Sequence, residues 1–120
     1  MQYMKKSVDE YNEKTGYRIG KPAQHHATIS PGYDDTRQAS RKGGTWKERT
    51  KFGVKRSGLD RVGAYYKGTF EAAMSSNPDW LHVNTFNELA EWSYIEPTIE
   101  WGYQYIDLTA KFVEEFKKKK

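Results

Sequence analysis

The chain has 120 residues, the length of one ordinary domain, yet only 36% are hydrophobic while 15% are aromatic, so much of its apolar surface is Tyr and Trp, which suit ligand walls as well as cores. It has no cysteine, which excludes disulfide staples and thiolate metal sites and leaves redox compartment and localisation unassigned. The formal net charge is +4 but unevenly spread: nine basic residues lie from Arg37 to Arg61 against Glu48 and Asp60, whereas Asp79 to Ala110 contains no Lys or Arg.

That second stretch holds Asp79, Glu88, Glu91, Glu96, Glu100 and Asp107, and is where chemistry is sought. No apolar run approaches the roughly 20 residues of a membrane span, and MQYMKKSVDEYNEK has no signal-peptide core. Met4, Val8 and Tyr11 recur at helical spacing, with Gly16 where a helix-ending glycine is expected, so the chain opens with a helix. HHATIS, stopped by Pro31 and Gly32, reads as a strand near His26 to Ser30. Residues 32–59 read as a long loop of Gly, Ser, Thr, Lys and Arg, with isolated Trp46 and Phe52.

Ser57 followed by Asp60 resembles a capping box, and Val62, Tyr66, Phe70 and Ala73 then share one helical face, flanked by Tyr65, Thr69 and Met74. This predicts a helix from about Asp60 to Ser75, closed by SNPD. WLHVNTF is a second strand, with Leu81, Val83 and Thr85 on one face and His82, Asn84, Phe86 and Glu88 on the other. Tyr105, Ile106, Thr109, Phe112, Val113 and Phe116 define a final amphipathic helix, followed by a solvated basic tail over residues 117–120.

Helix, strand, helix, strand, helix is the order of βα units with a parallel sheet. Two parallel strands have no closed core, so the 120 residues are expected to be a single segment of a larger fold that supplies the remaining strands. In a barrel of such units the loops after the strands gather at one mouth. SPGYDDTR follows the first strand and NELAEWSYIEP the second, so acidic and aromatic side chains would converge there. Glycosidic cleavage needs an acid for the leaving oxygen and a second carboxylate as base or nucleophile. Glu88 and Glu91 supply such a pair, and mutual repulsion would raise one pKa as an acid near neutrality requires. The spacing alone equally describes a solvated helix start.

The longer pattern is more specific. FNELAEWSYIEP resembles the FNEWHEGTQIEP signature of glycoside hydrolase family 99, the endo-α-mannosidase family. SPGYDDTR resembles its PGY-x-DT element, and RSGLDRVGAYYKGTFEAAM resembles its Gly-x-Tyr-Tyr helix with a small-residue run. These stretches cover roughly residues 25–116 in that family's order. The resemblance implies a (β/α)8 barrel, of which this chain would hold the last strands and helices. It also implies Glu88 as base, acting on the substrate's own 2-hydroxyl through an epoxide-like intermediate, and Glu91 as general acid. Leu89, Ala90 and Trp92 stand where the signature has Trp, His and Gly, which leaves the glycan unnamed. The NE-x-AE core with the following Ile-Glu-Pro also resembles the WbsX-like relatives from polysaccharide loci, often labelled glycosyltransferases.

Around that pair, Asn87, Tyr33 and Asp35 are candidates to bind sugar hydroxyls, and Trp92 and Tyr94 to stack on a sugar ring, although the two aromatics would equally pack the closing loop. Glu96 is assigned to loop structure. His25 and His26 are adjacent on a strand and point to opposite faces, so no metal site is assigned, and no cofactor. The competing reading is a non-catalytic carbohydrate- or polyanion-binding module built on Arg37, Arg41, Lys42, Lys47, Arg49, Lys51, Lys55 and Arg56. No nucleic-acid fold signature accompanies them, so nucleic acid is not assigned as a partner, nor is a membrane. The expected partner is a carbohydrate substrate, the expected activity is glycosidase action by the complete protein, and the segment alone is expected to be inactive.

Overall fold

The computed structural model describes residues 2–15, 23–34, 55–57 and 59–119. In chain order these form α1 (Gln2–Thr15), β1 (His26–Ile29), β2 (Tyr33–Asp34), β3 (Lys55–Ser57), α2 (Ala64–Ser75), β4 (Trp80–Val83), β5 (Asn87–Glu88), a 3-10 turn over Leu89–Glu91, β6 (Ser93–Tyr94) and α3 (Gln104–Lys118). The expected alternation of helices and strands is present, and β1 and β4 pair in parallel across the α2 crossover. Gly16, expected to end α1, lies outside the described residues.

The parallel register sets His26 opposite Trp80, Ala27 opposite Leu81, Thr28 opposite His82 and Ile29 opposite Val83. Because side chains alternate along a strand, this places Ala27, Ile29, Leu81 and Val83 on one face. That face joins the core with Tyr66, Phe70 and Ala73 of α2 and Tyr105 and Phe112 of α3. Phe70 and Phe112 stack with ring centroids 4.2 Å apart, and Tyr66 meets Phe112 edge-on at 4.8 Å. Tyr66 is fully buried, and its hydroxyl pairs with Thr109 Oγ1 at 2.7 Å. Burial pushes the Tyr66 phenol above its ordinary pKa.

The opposite face carries His26, Thr28, Trp80 and His82, all exposed. On it His26 Nδ1 and His82 Nε2 lie 3.1 Å apart, and the Trp80 indole donates to Gln24 Oε1 at 2.9 Å. Parallel sheets normally have both faces covered, so the described residues supply one half of the required packing. The stripe on α1 is similarly bare: Met4 and Tyr11 are exposed. Polar ties hold α1 in place, through Asn12, which exchanges two hydrogen bonds with the Ala23 backbone, and Lys5, 3.9 Å from Asp79.

Five expectations are corrected. The helix expected from Asp60 begins at Ala64, with Gly63 at its N-cap, and Asp60 stands in the preceding turn, where its Oδ1 accepts the backbone N–H groups of Val62, Gly63 and Ala64. Ser57, expected in a capping box, lies in β3. Val62, assigned to the buried face, precedes the helix and is 62% exposed. The segment 32–59 is not loop throughout, since β2 and β3 pair antiparallel at its base. Finally, the second strand stops at Val83 instead of running to Phe86, and the Asn84–Thr85 peptide is cis.

Asp60 also ties α2 to α3. Its carbonyl accepts from the Tyr105 hydroxyl at 2.8 Å and from Gln104 Nε2 at 2.6 Å. Burial, only partly offset by the backbone bond to Asp60, pushes the Tyr105 phenol up to about 12. Gly63 fits between these helix starts with φ +64, and a Cβ there would stand 2.6 Å from Leu108 Cδ1. Gly68, on the exposed side of α2, has nothing within 4 Å of such an atom.

Gly63→Ala is therefore expected to destabilise by about 1–3 kcal/mol, through both backbone strain and overpacking. Gly68→Ala is expected to stabilise by about 0.5–1 kcal/mol, because it removes a glycine from a helix interior. Thermal melting of the two variants should move in opposite directions.

His25 supplies a pH dependence. Its ring is buried, with Nε2 2.9 Å from Ser76 Oγ, and burial, reinforced by the Lys5 charge, lowers its pKa. The unfolded chain thus takes up this proton more readily than the folded one, so the neutral imidazole contributes stability above its unfolded pKa, and that contribution falls away as pH drops below about 6.5. Melting temperatures measured across roughly pH 5 to 8 should show this acid limb in the wild type and a flatter profile in His25→Gln.

Candidate active site

The parallel ladder sets the position of the site. Asn84 N–H donates to the Ile29 carbonyl at 2.9 Å, extending the ladder one step past both strands and leaving their C-terminal ends side by side. Two loops leave from this end. The first passes through Ser30, whose N–H donates to Thr69 Oγ1 of α2 at 3.1 Å, and buried Pro31 and Gly32 into β2. There Tyr33 is half-buried and pairs with Ser57, while Asp34 pairs with Lys55 across a bulge. Asp35, Trp46, Phe52 and the basic residues Arg37, Arg41, Lys42, Lys47, Arg49 and Lys51 lie outside the described residues.

The second loop is a hairpin. β5 and β6 pair antiparallel, Asn87 with Tyr94 and Glu88 with Ser93. The Phe86 carbonyl accepts the N–H groups of Ile95 at 3.0 Å and Glu96 at 2.8 Å, closing the hairpin at its base. Ser93 is 1% exposed and donates its hydroxyl to the Asn84 carbonyl at 2.9 Å, fastening the hairpin to the strand end. The tip is the 3-10 turn Leu89–Glu91, ended by Trp92, whose N–H returns to the Leu89 carbonyl at 3.2 Å.

Glu88 therefore enters the turn from β5, exposed, and Glu91 is its last residue, half-buried. Glu88 was expected to extend the alternation of the second strand, but it stands on the separate hairpin, and its direction is set by pairing with Ser93. Asn87, just before it, is exposed. Phe86 and Leu89 are each 51% exposed, so the two carboxylates share the hairpin with apolar surface. Such a mixture suits a ligand having both hydroxyl groups and C–H faces, and places two groups able to exchange protons on one short rigid element. Among the described residues, no group of three or more His, Cys, Asp or Glu side chains is placed to hold a metal ion.

Tyr94 is not an open stacking surface. It is 6% exposed and belongs to the core, and burial pushes its phenol above the ordinary value. The fold-back of β6 onto β5 turns it inward. The Glu96 backbone N–H is one of the two that the Phe86 carbonyl accepts. Ser93 as the fastening residue was not foreseen, since a Ser between Trp and Tyr carries no pattern that announces a carbonyl partner nine residues upstream.

Trp92 has φ 51 and ψ 36, the left-handed region. An L-residue with a Cβ bears about 1–2 kcal/mol there, which glycine avoids.

The fold so defined is mixed α/β with parallel strands, whose C-terminal ends carry an acidic, aromatic hairpin. No protein-family model matches the chain, and no curated protein matches it. Among solved structures, the GH99 endo-α-mannosidase from Bacteroides thetaiotaomicron, in complex with bis-tris propane, is similar over 98% of this chain with a TM-score of 0.64 and 24% sequence identity. The match covers 36% of that enzyme's chain, so this chain corresponds in fold to part of a glycoside hydrolase.

Proposed function

We propose that this chain is part of a (β/α)8 glycoside hydrolase that cleaves a glycan or polysaccharide, with Glu88 and Glu91 as its proton-exchanging pair. The observation that carries this reading is the hairpin from Phe86 to Ile95. It grows from the C-terminal end of a parallel strand, where barrel enzymes keep their chemistry, within a fold shared with part of an endo-α-mannosidase. The bare face of the β1–β4 pair and the 36% coverage support a barrel completed by further strands.

In the reaction that the family resemblance implies, Glu88 takes the proton of the substrate 2-hydroxyl as that oxygen bonds to the anomeric carbon. Glu91 protonates the departing glycosidic oxygen. Water then opens the resulting 1,2-anhydro ring, giving its proton to Glu91, while the proton on Glu88 returns to the 2-oxygen. The sequence of steps restores both carboxyl groups and retains the anomeric configuration. Asn87 and Tyr33, and Asp35 beyond the described residues, are proposed to bind sugar hydroxyls. The α-mannosidic linkage is one member of the substrate class that this reading allows.

Each of Glu88→Gln and Glu91→Gln in the full-length protein is expected to lower kcat by about 10²–10⁴-fold or more, the usual contribution of a positioned acid or base, with melting temperature unchanged. Glu91→Gln should spare substrates with a good leaving group, such as aryl glycosides, because these need little protonation, whereas Glu88→Gln should not. Turnover at the wild-type rate in either variant removes that residue from the mechanism.

A further inference from the structure

We infer that Ser93 is a positioning residue for Glu88: its buried hydroxyl fixes where the hairpin sets that carboxylate against a substrate held at the strand ends. The inference rests on the proposed glycosidase reading and adds a residue that takes no part in the proton transfers. The hairpin is anchored by one limb. In β6 both Ser93 and Tyr94 are buried, as is Ile95 directly after them, whereas Asn87 and Glu88 of β5 are exposed. β5 therefore takes its position from β6, through the pairs Asn87 with Tyr94 and Glu88 with Ser93.

Of these buried residues, Ser93 is the one directly opposite Glu88. Tyr94 and Ile95 belong to the hydrophobic core cluster, and apolar burial is non-directional, so it holds the limb down without choosing its orientation. Ser93 supplies the direction. Its Oγ donates to the Asn84 carbonyl at 2.9 Å, and the Asn84 N–H is itself bonded to the Ile29 carbonyl at 2.9 Å. The hydroxyl thus joins the hairpin to the parallel ladder from whose end the other loop also departs. A serine so fully buried gives up hydration of its hydroxyl for this bond, which a residue serving only to fill space would not need. Proton transfer requires the base within hydrogen-bond reach of its proton, and a displacement of about 1 Å can cost about a hundredfold in rate. The effect of the bond falls on turnover more than on binding.

The test measures kcat and KM of the full-length protein at a temperature where circular dichroism shows every variant folded. Ser93→Ala removes the hydroxyl and should lower kcat about 10–100-fold while KM changes less than about threefold. Ser93→Thr restores a hydroxyl donor and should recover most of that loss. Should Ser93→Ala not fold, Ser93→Cys takes its place, since it keeps the volume and offers only a weak donor. A double-mutant cycle separates positioning from mere stability. Added to Glu88→Gln, Ser93→Ala should cost less than about threefold in kcat, because the carboxylate it places is already gone. An equal cost in both backgrounds would overturn the inference, as would full kcat in Ser93→Ala beside a slow Glu88→Gln, and either result leaves the glycosidase reading standing. Failure of that reading shows elsewhere, as turnover at the wild-type rate in Glu88→Gln alone, and removes the base that Ser93 is inferred to place.

Discussion

Everything described here depends on four residue pairs of parallel ladder between β1 and β4. Parallel pairing sends both strands the same way and so requires a crossover, which α2 provides. One pairing thus buries Ala27, Ile29, Leu81 and Val83 against the helices and brings the loops after Ile29 and Val83 to one end. Asn84, bonded back to Ile29 by its N–H and forward to Ser93 by its carbonyl, passes this geometry from ladder to hairpin. Glu88 and Glu91 take their place from this ladder and from the β5–β6 pairing, in which Glu88 stands opposite Ser93.

The helix layer is fixed by a different device. Asp60 uses its side chain to hold the turn that leads into α2 and its carbonyl to hold Gln104 and Tyr105 of α3, so one residue ties the starts of both helices together. Gly63 permits the close approach to Leu108 that this demands. Aromatic stacking through Tyr66, Phe70 and Phe112 then fills the space between the helices and the sheet. Directional bonds choose the arrangement, and dispersion and apolar burial supply most of the stabilisation.

The helices were legible in the sequence because Tyr66, Phe70 and Ala73, and Tyr105, Thr109 and Phe112, repeat at the spacing of a helical turn, and the structure buries all six. The β1 and β4 strands were legible from HATI and WLHV, as was the shared face of Leu81 and Val83. The end of the second strand was not, because Asn84, Thr85 and Phe86 continue an alternation compatible with extended chain. What stops it is the pairing of Glu88 with Ser93 and of Asn87 with Tyr94, a tertiary choice that local preference does not encode. The burial of Tyr94 was one of the two readings its sequence allowed, whereas the left-handed turn at Trp92 was not legible. The location of the acidic pair in the loop after β4 was readable, while its carrier, a fastened hairpin, was not.

The ladder has a further consequence. Neither HATI nor WLHV contains a charged residue or a proline, the usual guards of strands whose outer hydrogen-bonding groups are open. Among the described residues nothing pairs with the outer row of either strand. A short, uncharged ladder of this kind is a template for lateral growth, and the backbone groups that welcome neighbouring strands of one fold would equally welcome a strand from another molecule.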